Sequence, residues 1–221
     1  MFTDPILRPS LVFVQPDISN VGLRCQYKFN GNAMDSSGNG YNGVPVNSPS
    51  FNPLNVLLNG SSQRIDINAV PIQSYPFTVN CWFNPSSGGF IWSETATSAY
   101  TGFYCSAYST GVSLNCDNGT TATSSSINTT ITGWNMVTYV FSSATSRTVI
   151  LNANIAGAYT DTTNSTPAMG SVNDNEIGEI GGIWAANTFN NWYGGLLTDF
   201  RIYSRVLTNA EIVQLYNNQA Q

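Results

Sequence analysis

Histidine is absent from this chain, and charged side chains are scarce. Without histidine, Ser-His-Asp catalysis, Cys-His catalysis and histidine-based zinc sites are excluded, because each of them uses imidazole as a base or a ligand. Charged residues make up 9% of the sequence, the formal net charge is −5, and Lys28 is the single lysine. A nucleic-acid backbone or an anionic membrane surface attracts basic patches, so neither is predicted as a partner.

Long hydrophobic runs are also missing. A membrane-spanning helix needs about 20 consecutive apolar residues, and the apolar runs here are short, so no membrane insertion is predicted. The opening stretch MFTDPILRPSLVFVQPD has an early aspartate, three spaced prolines and no small-residue cleavage site. This is not the pattern of a signal peptide, so either a leader was already removed or the chain is made without one, and Met1 leads us to expect the second.

The four cysteines do not form a C-x-x-C pair, which argues against a zinc knuckle or a thioredoxin-like motif. Cys105 and Cys116 would face each other, and form a disulfide, if Thr110-Gly111 were a two-residue turn. The alternative is that these two, together with Cys25 and Cys81, are buried free thiols, which behave as small hydrophobic side chains.

From Leu23 onward, short runs of alternating apolar and polar residues recur between turn residues, for example FTVNCWF, GFYCSAY, NMVTYVF and DFRIYS. This period of two, interrupted every 8 to 15 residues, is typical of an all-β sandwich. One helix is predicted near the end, where Thr208 and Glu211 form a capping box. Residues 1–20, with three prolines around SLVFVQ, are predicted to be an extended N-terminal arm, and residues 21–221 a single domain.

The stretch GNGYNG at residues 38–43 matches the G-x-G-x-x-G pattern of dinucleotide-binding proteins. That pattern binds a pyrophosphate only when a strand precedes it and a helix follows it. Here it leads into VPVNSPSFNP, whose prolines prevent a helix. Nucleotide binding is therefore not predicted.

Several motifs follow one another in a fixed order between residues 23 and 217. They are YKF at 27–29, DSSGNGYNG at 35–43, LLNG at 57–60, IDI at 65–67, FTVNCWFNP at 77–85, GWNMVTYV at 133–140, and GLLTDFRIYSRVL at 195–207 ending in EI at 211–212. Together they resemble the laminin-G-like, concanavalin A-like lectin/glucanase superfamily. The resemblance implies an all-β fold, a two-sheet antiparallel jelly-roll sandwich with a short C-terminal helix.

The resemblance leaves function open, because this fold carries lectins, adhesion modules, glycosidases and structural domains. Its glycosidases have E-x-D-x-x-E on one strand, with two carboxylates in catalytic roles. Residues 174–179, DNEIGE, have the first two carboxylates exchanged, and a misplacement near 1 Å is poorly tolerated in catalysis. We predict a non-enzymatic protein and keep a glycoside hydrolase as a remote alternative.

Aromatic and amide side chains occur together in IWAANTFNNWYGG, which suits a glycan-binding surface because sugar rings stack on aromatic faces. The alternative is that the last two aromatic residues of this segment pack onto the rim of the sandwich. Trp82 and Trp134 occupy strand positions of the family and are expected in the core. The candidate ligand residues are Trp184, Asn187, Asn190, Trp192 and Tyr193.

The resemblance also implies a candidate calcium site, since many members of the family bind this ion through carboxylate and carbonyl oxygens. The candidate ligands are Asp35 in the glycine-rich loop, Asp199 near it, and the oxygens of Asn39 and Asn42. The alternative is that Asp35 bonds to backbone groups of its own turn.

Low charge, the expected lack of a leader and the N-terminal arm favour a component of an assembly. We therefore predict a virion surface or capsid-associated protein, for decoration or host attachment, with host-surface glycans as possible ligands. The arm is predicted to add a strand to the sheet of a neighbouring structural protein, or to pair with its own domain. The alternative function is a secreted or cell-surface carbohydrate-binding or adhesion module.

Overall fold

The computed structural model describes residues 20–67, 69–96, 101–169, 172, 174–177 and 191–219. Apart from Asn20, the predicted N-terminal arm therefore lies outside the described residues. The described part contains fourteen strands, a 3-10 turn at Ile155–Gly157 and one α-helix, α1. The strands are β1 (Leu23–Tyr27), β2 (Gly43–Val46), β3 (Ser50–Phe51), β4 (Val56–Asn59), β5 (Arg64–Ile67), β6 (Phe77–Thr95), β7 (Thr101–Tyr108), β8 (Gly111–Asn118), β9 (Ala122–Asn128), β10 (Asn135–Ser143), β11 (Ser146–Leu151), β12 (Tyr159–Asp161), β13 (Asp174–Ile177) and β14 (Gly194–Tyr203), and α1 spans Asn209–Gln219.

The strands form two antiparallel sheets that share β6. Sheet A has the order β12–β11–β10–β6–β14, and β1 and β4 divide the outer edge of β14 between them, with β3 beyond β4. Sheet B has the order β2–β5–β13–β6–β7–β8–β9. The predicted all-β, two-sheet antiparallel sandwich with a C-terminal helix is confirmed.

β6 changes sheets in the middle of its 19 residues. Its first part pairs with β10 and β14 in sheet A, whereas the part from Gly89 to Thr95 pairs with β7 in sheet B. Gly89 lies at this crossing with φ of 138°, and a side chain there would collide with the carbonyl of Trp192. Glycine is therefore required for the close approach of the two backbones.

The core lies between the two sheets and is largely aromatic. Phe77 of β6 stacks on Phe141 of β10 at 4.2 Å between ring centroids, and Phe103 of β7 meets both rings edge-on. Trp92, on the sheet B part of β6, is completely buried, and its indole N–H donates to Oδ1 of Asn175. Aromatic pairs of this kind contribute beyond the area that they bury, and they join the two sheets.

α1 covers part of the outer face of sheet A with Ile212, Leu215 and Tyr216. The predicted capping box is present, since the Thr208 amide donates to Glu211 Oε2 at 2.8 Å and the Glu211 amide donates to Thr208 Oγ1 at 3.3 Å. The capping box satisfies amide groups that a helix N-terminus leaves without partners. Within the described residues no helix is long and apolar enough to cross a membrane.

The GNGYNG stretch forms a turn and not a phosphate-binding loop. Gly38 and Gly40 adopt φ of 89° and 80°, in the region that favours glycine. The chain then enters β2 at Gly43, so no helix N-terminus follows that could hold a pyrophosphate.

The hairpin between β7 and β8 corrects the predicted turn at Thr110-Gly111. Tyr108 pairs with Gly111, so the two-residue loop lies one position earlier. This register places Cys105 opposite Leu114 and Cys116 opposite Phe103, and the two thiols are buried and free. Cys25 and Cys81 are also buried free thiols, in agreement with the alternative reading of the cysteines.

Arg147, on β11, is a completely buried cation at the edge where the two sheets meet. Its guanidinium contacts Asp161 Oδ2 at 2.5 Å and Ser165 Oγ at 2.7 Å, donates to the Thr163 carbonyl at 2.9 Å, and bonds Thr123 Oγ1 of β9. The bonds to β9 and β12 connect sheet B with sheet A through one side chain.

We expect Arg147→Met to lower the free energy of unfolding by about 3–5 kcal/mol, because Asp161 would keep a mostly buried charge without its partner. Chemical denaturation measures this loss. The comparison is Lys28→Met, which removes an exposed cation and should change stability by less than about 0.5 kcal/mol. Equal stabilities for the two variants would show that Arg147 does not join the sheets.

Candidate functional site

The outer face of sheet B, which points away from the core, is rich in small polar side chains. Strand alternation places Ser106 of β7 beside Ser113 of β8 on this face, with 2.6 Å between their hydroxyl oxygens. Asn115 donates from Nδ2 to Ser113 Oγ at 3.1 Å and extends the same polar row. Such a face is hydrated without carrying many charges, which suits contact with neutral polar ligands.

A groove of about 330 Å³ lies on this face and is called the sheet B groove below. It combines two aromatic rings with amide, carboxylate and hydroxyl groups, which is the composition of sites that bind small polar ligands. The described residues that line it are Phe90, Tyr104, Asn115, Cys116, Asp117, Ala122, Thr123, Ser124 and Asn191.

The two rings form the apolar part of the groove. Phe90 and Tyr104 meet edge to face at 6.0 Å and are 9% and 5% exposed. Phe90 also anchors the neighbouring segment, because its amide donates to the Asn191 carbonyl at 3.0 Å and it forms a β-bridge with Trp192. The described end of the segment in which we predicted glycan-binding residues, from Asn191 onward, is thereby held beside the groove.

Two of the five predicted ligand residues, Trp192 and Tyr193, are described, and their side chains lie in different surroundings. Trp192 is half-buried, with the Arg64 guanidinium 6.0 Å from its ring centroid, next to the sheet B groove. Tyr193 is completely buried in the core and its hydroxyl donates to the Leu196 carbonyl at 3.3 Å, so its ring does not reach the surface. Trp184, Asn187 and Asn190 lie outside the described residues.

Sequence reasoning missed the groove residues Phe90, Tyr104 and Asn115. A usable signal was present, because residues 104 and 106 alternate with the core residues Phe103 and Cys105 and must point to the opposite face. The sequence does not say, however, which strands are neighbours, and the groove is built from four of them, β6, β7, β8 and β9.

Trp82 and Trp134 do not lie together in the sandwich core as expected. Trp82 is buried, but it packs on the outer face of sheet A, where its ring stacks on Tyr216 of α1 at 5.4 Å. Trp134 is 40% exposed, because it precedes β10 and is not covered by the helix. The family strand position predicted burial correctly for the first tryptophan only.

Three of the four predicted calcium ligands come together in the glycine-rich loop, where they bond to protein groups. Asp35 Oδ1 accepts from the amides of Gln26 and Ser37, both at 2.9 Å. Its Oδ2 accepts from the Ser37 hydroxyl at 2.8 Å and the Tyr41 amide at 3.0 Å. Asn42 Oδ1 accepts from the Asp35 amide, and Asn39 donates from Nδ2 to the Leu23 and Arg24 carbonyls.

These contacts use the roughly four lone-pair positions of the Asp35 carboxylate. Burial opposes ionisation, but the hydrogen bonds outweigh it and hold the pKa of Asp35 below its usual value. Asp199, the fourth predicted ligand, is buried, forms an ion pair with Arg201 at 2.7 Å and accepts from Gln26 Nε2 at 2.7 Å. A calcium ion would have to displace several of these donors, so the residues fit the alternative better, with Asp35 stabilising its own turn.

A buried carboxyl group with a raised pKa is often catalytic, and Glu94 on β6 has this property. Burial raises its pKa to about 8, although the nearby Asn175 amide favours the charged form. Its side chain is completely buried, next to the core residue Phe103, and it lines neither the groove nor another cavity described below. Of the predicted acidic cluster, the side chains of residues 174 and 176 and all of residue 179 lie outside the described part of the chain.

Comparison of the sequence with models of known protein families gives a result that agrees with the fold. A family model described as the concanavalin A-like lectin/glucanases superfamily matches residues 59–213, which is more than half of the chain. The protein therefore belongs to this superfamily, whose lectin-like fold is associated with carbohydrate binding. No curated protein matches the sequence.

Solved structures with the same fold include domain 4 of AbnA, an extracellular arabinanase from Geobacillus stearothermophilus, in complex with arabinotriose. It has 16% sequence identity and a TM-score of 0.71, over 90% of this chain and 100% of that domain. The binding domain of botulinum neurotoxin DC in complex with rat synaptotagmin II has 14% identity and a TM-score of 0.66. It is matched over 90% of this chain and 52% of its own length, so the chain spans about half of that binding domain.

A third structure is of botulinum neurotoxin type C, whose cell entry is described as dependent on interaction with two ganglioside molecules. It has 15% sequence identity and a TM-score of 0.67, over 90% of this chain and 51% of that chain. At these identities the similarity establishes the fold alone.

The loop interpretation of Asp35 is tested with Asp35→Ala, measured by chemical denaturation in EDTA. We expect a loss of about 1–3 kcal/mol, because the variant leaves partly buried N–H groups without their acceptor. Asp117→Ala is the control, since Asp117 accepts one local backbone bond, from Gly119 at 2.7 Å, and should lose less. A loss for Asp35→Ala that appears only when millimolar calcium is present would instead support a calcium site.

The raised pKa of Glu94 leads us to expect that the stability of the protein depends on pH. Because its pKa in the folded protein, about 8, lies above the ordinary glutamate value of 4.5, the stability that it contributes is fully present below pH 4.5 and is lost as the pH rises through about 8. Glu94→Gln should make the melting temperature less dependent on pH between pH 5 and 9.

The matched control for that measurement is Glu211→Gln, because the pKa of Glu211 is lowered to about 2 by its bonds with Arg205, which outweigh its partial burial. Its pH-dependent contribution changes only in acid, so this variant should keep the wild-type slope between pH 5 and 9. An unaltered slope in Glu94→Gln would mean that Glu94 is ionised in the folded protein.

Proposed function

We propose that the protein is a non-enzymatic glycan-recognition protein and that the sheet B groove holds the sugar. The observation that carries this proposal is the pairing of the Phe90 and Tyr104 rings with hydrogen-bonding side chains at one groove. A sugar presents C–H groups on its ring faces and hydroxyls around its edge, so it needs both kinds of surface. Asn115, Asp117 and Ser124 supply the hydrogen-bonding groups.

The groove favours a neutral sugar. None of the described lining residues is lysine or arginine, and Asp117 contributes a negative charge. A carboxylate on the ligand would meet this like charge without a cation to offset it. Domain 4 of AbnA, described with bound arabinotriose, supports a neutral oligosaccharide as the first ligand to test.

Binding is favoured over hydrolysis because a glycosidase needs two carboxyl groups on either side of the scissile bond. Among the described lining residues of the groove, Asp117 is the one carboxylate. Glu94, whose raised pKa would suit a general acid, is completely enclosed in the core. A glycoside hydrolase therefore remains the remote alternative.

The setting that we propose is the surface of a virion or its capsid, where the protein decorates the particle or attaches it to host glycans. The low charge of the chain supports this, since uncharged polar surface packs against neighbours without desolvating ions. The N-terminal arm is proposed to pair with another structural protein, and deletion of residues 1–20 should then abolish incorporation into particles. Particles that assemble normally without the arm would contradict this role.

A secreted or cell-surface carbohydrate-binding module is the second candidate, and the likeness to a domain of an extracellular arabinanase favours it. Both candidates use the same groove but differ in what surrounds the gene. Neighbouring capsid genes would support the particle, whereas neighbouring secretion and polysaccharide-degradation genes would support the module.

The groove is tested with Ser124→Trp, which places an indole in the groove from an exposed position on β9 and leaves the core intact. We expect the affinity for arabinotriose or another neutral glycan found on an array to fall at least about tenfold, because the indole occupies the sugar's volume. Isothermal titration calorimetry measures the affinity, and the melting temperature verifies folding.

Thr160→Trp is the matched control, because it adds the same side chain at an exposed position on β12, in sheet A. It should bind as the wild type does. Neutral-glycan binding that survives Ser124→Trp unchanged would place the sugar elsewhere and refute the groove as the site.

A further inference from the structure

A second cavity, of about 830 Å³, lies on the opposite side of the molecule, on the outer face of sheet A. We call it the sheet A cavity. It forms where β1 and β4 divide the edge of β14, beside a bulge in β14 at Asp199. Its lining residues are Lys28, Asn30, Pro53, Leu54, Asn55, Trp82, Trp134, Thr198, Asp199 and Tyr216.

The walls of this cavity are held in place by the Thr198 side chain and by a pair of stacked aromatic rings. Thr198 donates from Oγ1 to the Leu54 carbonyl at 2.7 Å and to the Lys28 carbonyl at 3.2 Å, which ties the loops after β1 and before β4 together. On the other side, the stacked rings of Trp82 and Tyr216 join the sheet to α1. The cavity is therefore a preformed feature between packed elements.

Two aromatic groups in the cavity have unused binding capacity. Trp134 is 40% exposed and lines the cavity, so part of its indole is accessible to a ligand. Trp82 is 6% exposed, and its buried Nε1–H has no acceptor within the described residues. Buried donors without a partner are uncommon, and a ligand hydroxyl could accept from Nε1 after a small shift of the covering side chains.

Charge distinguishes this cavity from the sheet B groove. Lys28 is exposed, and within the described chain its ammonium has neither an ion pair nor a hydrogen bond. The Asp199 carboxylate also lines the cavity, but Arg201 neutralises it at 2.7 Å. The cationic group that is left for a ligand is therefore Lys28, with the Asn30 amide beside it on the same rim.

We propose that the sheet A cavity is a second saccharide site, which takes a sugar ring that carries a carboxylate. The ring stacks on Trp134, the carboxylate pairs with Lys28, and a hydroxyl accepts from Trp82 Nε1. Stacking on the indole binds the ring face of the sugar, and the charge-assisted hydrogen bond to Lys28 distinguishes a ring with a carboxylate from one without. The proposal goes beyond the neutral-glycan groove and does not depend on it, because the two sites lie on opposite outer faces of the sandwich.

Calorimetric titration with two acidic probes, 3′-sialyllactose and trigalacturonate, tests the cavity. Neutral lactose, which has no carboxylate, is the control ligand. We expect at least one acidic probe to bind. Trp134→Ala should weaken that binding about tenfold, and Lys28→Gln about three- to tenfold. Lys28→Gln should also remove the preference for the acidic probe over lactose and its weakening by added salt.

Two controls separate this site from the groove. Tyr159→Ala removes another exposed aromatic ring from sheet A, at β12, and should bind the acidic probe as the wild type does. Ser124→Trp, which blocks the groove, should also leave acidic-probe binding intact. The proposal is overturned if neither acidic probe binds, if Trp134→Ala binds as the wild type does, or if Ser124→Trp abolishes the binding.

Discussion

The architecture depends on one strand that belongs to both sheets. β6 begins in the centre of sheet A and ends in the centre of sheet B, so the two sheets cannot be arranged independently. The crossing at Gly89 brings the backbone so close to Trp192 that no side chain fits between them. The same strand supplies Phe77 and Trp92 to the core and Phe90 to the groove, so core packing fixes the position of the candidate site.

The two outer faces of the sandwich have become different surfaces for a physical reason. α1 covers part of sheet A, so the strands beneath it carry apolar side chains such as Met136 and Val140 on that face, and the cavity lies beside Tyr216 of the helix. Within the described residues no helix covers sheet B. Its outer face carries polar side chains, with the Phe90–Tyr104 pair as an apolar cluster among them. One face therefore offers a groove of about 330 Å³ built around two aromatic rings, and the other a cavity of about 830 Å³ whose lining mixes aromatic, amide and charged side chains.

Most of the fold was predictable from the sequence, because alternation, turn residues and the capping box at Thr208 are local signals. The β7–β8 hairpin was misplaced by one residue, since loop position depends on which cross-strand pairs pack best, and composition does not contain that information. The groove was missed for a related reason: its residues come from different strands, and their proximity follows from the sheet order. Tyr193 shows the converse, since an aromatic residue in a loop-like sequence became part of the core.

The scarcity of charge gives each charged group a distinct role. Nearly all described cations are used to hold the fold: Arg147 joins the sheets, Arg201 neutralises Asp199, and Arg205 binds Glu211 at the start of α1. Lys28 is outside this set, and it stands at the rim of a cavity with an exposed indole. In a protein with many surface lysines such a position would mean little, because exposed charges usually make no specific contact. Here the background is low, so the single cation beside Trp134 is the group on which the proposed preference for acidic over neutral sugars depends.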